Sequence, residues 1–128
     1  MKIILDTNFL LIPGTLGVDI FSMIRDMDPR ARFFVVDRTM DELDTIIAKK
    51  APKFKKAANL GKQFVKKFKI KILSSKTQTF KNVDELILKI AEKGGYLIAT
   101  QDILLKKKAH SKKLQIILLR QKKYIIID

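Results

Sequence analysis

Short, almost wholly apolar runs alternate along this chain with longer segments whose apolar residues recur every three or four positions, and that alternation leaves few folds open. Lys2–Leu5 and Arg32–Val36 have no polar face, as expected of strands buried on both sides. Lys69–Leu73, Tyr96–Thr100 and Leu114–Leu119 read as further strands, and Tyr124–Ile127 is expected to pair with the last of these through a turn at Arg120–Lys123. Val18, Phe21, Met23, Ile24 and Met27 predict a helix that stops before Pro29. Another is expected from Thr39, with Met40, Leu43, Ile46 and Ile47 on one face, and a third from Pro52 to Phe68 despite Gly61. Ser74–Lys81 is polar and without period, hence a loop. Asn82 opens a helix carrying Val83, Leu86, Ile87, Ile90 and Ala91 on one face and closed by Gly94 and Gly95, and Ile103–Ala109 gives a last short helix. Parallel neighbours need long crossovers, which are right-handed. The chain is therefore expected to form an α/β fold, a mostly parallel central sheet with helices on both faces, in one domain over residues 1–128.

In such a sheet the strands' carboxyl ends share one edge, where ligands usually bind. Four acids fall there: Asp6 after the first strand, Glu42 after the second, Asp84 after the third and Asp102 after the fourth. Each has a structural explanation. Thr39 and Glu42 spell a capping box, Asn82 and Glu85 a similar one, Asp84 suits the first turn of a helix, and Asp102 suits an N-cap. Asp6 resists that reading, because a carboxylate ending a central apolar strand is costly to desolvate without a cation or several donors. Jointly, four converging carboxylates repel one another unless a hard cation bridges them. Carboxylates without His or Cys select Mg2+ or Mn2+, which activate water and clamp a phosphate for in-line displacement.

The surroundings are strongly basic. Lys and Arg number 27 against 13 acids, a net charge of +14, which points to a polyanion as partner. No acid occurs between Thr45 and Val83, while Lys49, Lys50, Lys53, Lys56 and Lys66 stand among the lysines of that stretch. Lys106, Lys107 and Lys108 follow closely on Asp102. With no interspersed Glu to pair them, phosphate contact is a better reading than a solvated face. Phe54, Phe64 and Phe68 lie among these lysines, but at that spacing aromatic residues read as core rather than as a base-stacking platform. His110, the one histidine, reads as solvated. No phosphate-binding glycine loop, dinucleotide turn or serine elbow is present. The chain has no Cys and no apolar stretch of membrane-spanning length, so a reducing, cytoplasmic setting without membrane contact is expected.

The acid-bearing segments resemble those of PIN-domain ribonucleases, in order and over nearly the whole chain. Ile3-Ile4-Leu5-Asp6-Thr7-Asn8-Phe9-Leu10-Leu11 is similar to that family's opening motif. Thr39-Met40-Asp41-Glu42-Leu43 resembles the second, Val83-Asp84-Glu85-Leu86 the third, and Ala99-Thr100-Gln101-Asp102 the fourth. The resemblance implies a metal-dependent endoribonuclease. Asp6, Glu42, Asp84 and Asp102 would be metal ligands or water-positioning groups, and Thr100 and Asn8 would support them. Asp41 and Asp44 flank Glu42, and Glu85 adjoins Asp84; spacing does not choose among them. Phe9, the Thr39–Leu43 segment and Tyr96–Asp102 with Leu104-Leu105-Lys106 look closest to the PIN nucleases of small-subunit ribosomal RNA maturation, in a minimal, archaeal-type form without Cys-bearing extensions. The expected substrate is single-stranded or loosely structured RNA. A second copy of the chain and ribosome-assembly factors are the partners left open. Two alternatives stand beside this: a VapC-like toxin with a cognate antitoxin, and a non-catalytic nucleic-acid-binding scaffold whose acids are caps.

Overall fold

Ile3, Ile4 and Leu5 have no solvent exposure at all, because the strand they form, β1 (Lys2–Leu5), lies inside a sheet covered on both faces. The computed structural model describes residues 1–128. The chain continues as α1 (Thr7–Leu10), α2 (Ile12–Leu16), α3 (Ile20–Met27), β2 (Arg32–Val36), α4 (Asp37–Lys49), α5 (Pro52–Lys67), β3 (Lys71–Leu73), α6 (Val83–Gly94), β4 (Leu97–Ala99), α7 (Ile103–Ser111), β5 (Ile116–Arg120) and β6 (Tyr124–Ile127). The sheet runs β3-β2-β1-β4-β5-β6, parallel throughout except for β6. β1 is central, with Ile4 beside Phe34 of β2 on one side and Ile98 of β4 on the other.

Alternation along the strands sorts the core into two layers. Ile3, Leu5, Phe33 and Val35 meet Phe9, Leu10, Phe21, Ile24, Leu43 and Val65 from the helices α1 to α5. Ile4, Phe34, Val36, Ile98 and Ile116 meet Leu86, Ile87 and Ala91 of α6 and Leu105 and Ala109 of α7 on the other face. This is the expected three-layer α/β/α arrangement.

Two helices escape the apolar period. Residues 9–12 are continuously apolar, and Pro13 and Gly14 read as breakers, yet Asp6 caps α1 and Pro13 occupies the first turn of α2, where its missing N–H costs nothing. Gly14 is needed for packing: a Cβ there would lie 2.4 Å from Ala57 Cα, so α2 and α5 cross almost backbone to backbone. Helix α4 also departs from expectation. It begins at Asp37 with Val36 as its N-cap, so Thr39 lies inside the first turn, its hydroxyl buried without a hydrogen-bond partner. Thr39 and Glu42 therefore do not form a capping box. Of the three phenylalanines expected in the core, Phe64 and Phe68 pack around Phe21 with ring centroids 5.3 and 5.0 Å away, whereas Phe54 is exposed. The edge strand β6 turns back through Gln121 and Lys122, both in the left-handed region at φ 54° and 56°.

Candidate active site at the carboxyl edge of the sheet

Asp6 is placed by its backbone. Its N–H donates to Ala99 O at 2.9 Å, continuing the β1–β4 ladder one residue past the strand, while its side chain caps α1. The residue is 6% exposed, and three donors are turned on its carboxylate. Oδ1 accepts from the Thr7 N–H at 2.8 Å. Oδ2 accepts from the Thr100 hydroxyl at 2.7 Å and from Asn8 Nδ2 at 3.1 Å. Asn8 is fixed in turn by the Gln101 N–H, which donates to its Oδ1 at 3.0 Å, and the Thr100 hydroxyl receives the Asp102 N–H at 3.0 Å. One hydrogen-bonded chain thus ties the end of β1 to the end of β4. The supporting roles expected of Asn8 and Thr100 have a geometric counterpart here.

The other acids approach from the flanking elements. Glu42, on α4, accepts the Thr7 hydroxyl at 2.7 Å and borders a cleft of about 340 Å3 together with Thr7, Arg38, Asp41, Thr45 and Val83. Asp84 lies half-buried in the first turn of α6, and Asp102 is the N-cap of α7, its Oδ1 accepting from the N–H groups of Leu104 at 2.8 Å and Leu105 at 3.3 Å. The capping reading of Asp102 is therefore correct, but it occupies one oxygen only. The acids left open by spacing differ in their partners. Asp41 pairs with Arg38 at 3.5 Å and Asp44 with Lys62 at 2.6 Å, both exposed. Glu85 pairs with Lys89 at 3.2 Å, and the Lys89 ammonium holds its carboxyl below the ordinary range. Asn82 caps α6 through Glu85 N–H at 2.9 Å, whereas Glu85 reaches back to Lys81 N–H, so that capping box is only half formed.

Two acids of the group, Asp6 and Asp84, are hard to ionise. Burial pushes the Asp6 carboxyl from its ordinary 3.8 up to about 6; the bonds from Thr100 and Thr7 oppose this, and the charges of Asp84 and Glu42 add to it. Asp84 is likewise raised, by burial and then by the charge of Asp102, with Lys108 opposing. Each of these two carboxyls thus has another acid of the group working against its ionisation. The four acids offer oxygen donors only, the set preferred by hard divalent cations. No three of them close around one point as a ready-made ligand trio.

The expected basic residues divide as well. Lys49, Lys50, Lys53, Lys56 and Lys66 are exposed and take no part in ion pairs. Lys106 borders a hollow of about 160 Å3 with Thr100 and Asp102, but its ammonium pairs with Asp128 at 2.7 Å. Lys107 and Lys108 are exposed, and Lys108 acts on Asp84. His110 is exposed, its Nε2 3.0 Å from the Asp128 carbonyl oxygen and outside the acid cluster. Sequence reasoning missed Asp37. Its Oδ2 accepts from both the Ser75 N–H and hydroxyl, at 2.9 and 3.0 Å, pinning the loop before α6 to the start of α4. The signal available was its position directly after an apolar strand, matching that of Asp6.

A family model described as PIN like domain matches residues 3–122. The fold is similar to that of the PIN domain endonuclease Utp24, with a TM-score of 0.78 and 21% identity over 99% of this chain and 90% of that one. It is also similar to VapBC2 from Rickettsia felis, solved bound to a DNA fragment from its promoter, with a TM-score of 0.67 and 14% identity over 93% of this chain and 99% of that one. A domain of a functionally unknown protein from Methanocaldococcus jannaschii DSM 2661 matches with a TM-score of 0.65 and 15% identity, over 93% and 91% of the two chains. A search of curated proteins gave no match. No helix is long and apolar enough to cross a membrane.

Proposed function

The chain belongs to the PIN-like domain family, and on that footing we propose that it is a divalent-metal-dependent endoribonuclease that hydrolyses phosphodiester bonds in single-stranded or loosely structured RNA during ribosomal RNA processing. The observation that carries the reading is the Asp6 network. A nearly buried carboxylate is surrounded by donors from Thr7, Asn8 and Thr100 and is still left hard to ionise, with Glu42 and Asp84 adding to the difficulty. Burial is the largest cause, and it outweighs the bonds from Thr100 and Thr7. A divalent cation would offset these charges, and Asp6, Glu42, Asp84 and Asp102 are the residues that would hold Mg2+ or Mn2+. Such an ion supplies an activated water and neutralises charge on the scissile phosphate.

The chain's own residues do the rest. Thr7 and Thr100 hold Glu42 and Asp6 in fixed rotamers through bonds of 2.7 Å each, which is the preorganisation a small hydrolytic site needs. Asp102 keeps Oδ2 free while Oδ1 is engaged by α7, so its orientation is set without consuming its remaining acceptor. The unpaired lysines Lys49, Lys50, Lys53, Lys56 and Lys66 supply phosphate contacts along the approach of the strand. The ribosomal assignment rests on the Thr39–Leu43 and Tyr96–Lys106 segments, while the likeness to the endonuclease Utp24 supports the nuclease reading. The likeness to VapBC2 supports a toxin as the second reading, with an antitoxin as partner.

Incubation of purified protein with structured and unstructured RNA in parallel EDTA, Mg2+ and Mn2+ arms tests this. Internal cleavage of the unstructured RNA that needs a metal, and that Asp6→Asn abolishes in a folded protein, is expected. Metal-independent cleavage, or undiminished turnover by the variant, overturns the reading.

A further inference from the structure

At the other edge of the sheet, where the parallel strands begin, a hollow of about 200 Å3 is bordered by Arg25, Arg32, Phe33, Phe68, Lys69 and Lys71, and by no acid. Arg32 opens β2 beside Lys2 and Lys71 opens β3 beside Phe34, so the hollow lies along the strands from Asp6 by roughly four residues, about 13 Å. Four cations crowd one small volume here. None of them makes an ion pair, although Lys62, Lys89, Lys106 and Lys112 elsewhere each find a carboxylate. The guanidinium of Arg25 lies 5.3 Å from the Phe33 ring centroid and 5.6 Å from that of Phe68, and Arg32 lies 5.3 Å from the Phe34 ring. The rings restrict both side chains and leave their N–H donors without a protein acceptor. A planar guanidinium held in this way is suited to bidentate contact with phosphate. Like charges gathered without counter-charge oppose one another, and an anion relieves that repulsion.

We propose that this hollow is a second RNA-anchoring site that takes a phosphate of the strand well beyond the one held at the carboxyl edge. It accepts the RNA reading of the proposed function but is independent of the acids and of any metal. RNA too short to span the two edges occupies them one at a time; longer RNA engages both.

The test is fluorescence anisotropy in EDTA, where nothing is cleaved, with labelled oligouridylates of about three and about twenty nucleotides over a salt series. Arg25→Gln/Arg32→Gln is expected to weaken binding of the long RNA about tenfold, to lower its salt slope by about 0.7, the loss of one phosphate contact, and to affect the short RNA less. Lys69→Gln/Lys71→Gln, which leaves both arginine–ring stacks in place, is expected to flatten the slope equally. Unchanged slopes in both variants overturn the proposal. So does an effect confined to the arginine pair and accompanied by a fall in Tm, since the arginines would then serve packing alone. Titrations with inorganic phosphate and with uridine monophosphate form a further arm: stabilisation of the wild type by these, with RNA slopes unmoved, makes the hollow a free-phosphate site and likewise overturns it. Absence of nuclease activity in the wild type refutes the enzyme reading without altering these binding slopes.

Discussion

Asp6→Asn separates the two things Asp6 does. Holding the carboxyl's ionisation at about 6 instead of its ordinary 3.8 weighs about 3 kcal/mol against the native state at neutral pH, at about 1.4 kcal/mol per pH unit. The sign follows from linkage. A raised acid favours the native state fully below pH 3.8, where both states are protonated, and that advantage is lost as pH climbs through about 6. The amide removes this pH dependence but introduces a fixed penalty. Its nitrogen would face Asn8 Nδ2, itself a donor and tied through its own oxygen to the Gln101 N–H. One unsatisfied contact of that kind costs about 1 to 3 kcal/mol at any pH. Urea unfolding in EDTA from pH 4 to pH 8 should therefore show the variant less stable than wild type at pH 4 and as stable or more so at pH 8. The difference should move by about 2.4 kcal/mol between the two ends. A stability difference that stays flat across that range would refute the argument that burial, rather than hydrogen bonding, governs this carboxyl.

Mg2+ or Mn2+ binding must displace the Asp6 proton, so the metal-induced rise in Tm is expected to be larger at pH 8 than at pH 5, as differential scanning fluorimetry would show. Asp84→Asn should leave the metal-free protein as stable or more stable at pH 7, because burial and the charge of Asp102 already disfavour the ionised form, while Mn2+ stabilises the wild type more than the variant; equal metal-induced shifts would remove Asp84 from the site. Lys53→Ala/Lys56→Ala/Lys66→Ala should lower the salt slope of RNA affinity by about 2, read by anisotropy. Thr39→Val should raise stability by about 1 kcal/mol in urea melts, since it replaces a buried hydroxyl that has no partner.

Local patterning settles the elements wherever the chain's own period is enough. The strands β1 and β2 are legible to the residue because three or four consecutive apolar side chains have no soluble alternative to burial on two faces. Helix α6 is legible for the same kind of reason, with Asn82 to start it and Gly95, at φ 71°, to end it. From the alternation of such elements comes the parallel sheet, and from the sheet the edge at which Asp6, Glu42, Asp84 and Asp102 gather. Where the sequence is silent, the deciding contacts are distant in the chain. Helices α1 and α2 exist because Asp6 caps the one and Gly14 lets the other lie against Ala57, and neither contact has a period to read. The choice of Glu42 over Asp41 and Asp44 depends on Thr7, thirty-five residues away, and on the exposed cations Arg38 and Lys62 that occupy the other two. Asp84 and Glu85 are equivalent as sequence, but the turn of α6 sends one toward the field of Asp102 and the other to Lys89. The sequence by itself therefore determined the layers and the carboxyl edge, since both follow from side-chain period. Which acids share a field, which lysines remain unpaired, and that four cations ring a hollow at the far edge are decisions of the tertiary structure, because charge acts through space and not along the chain.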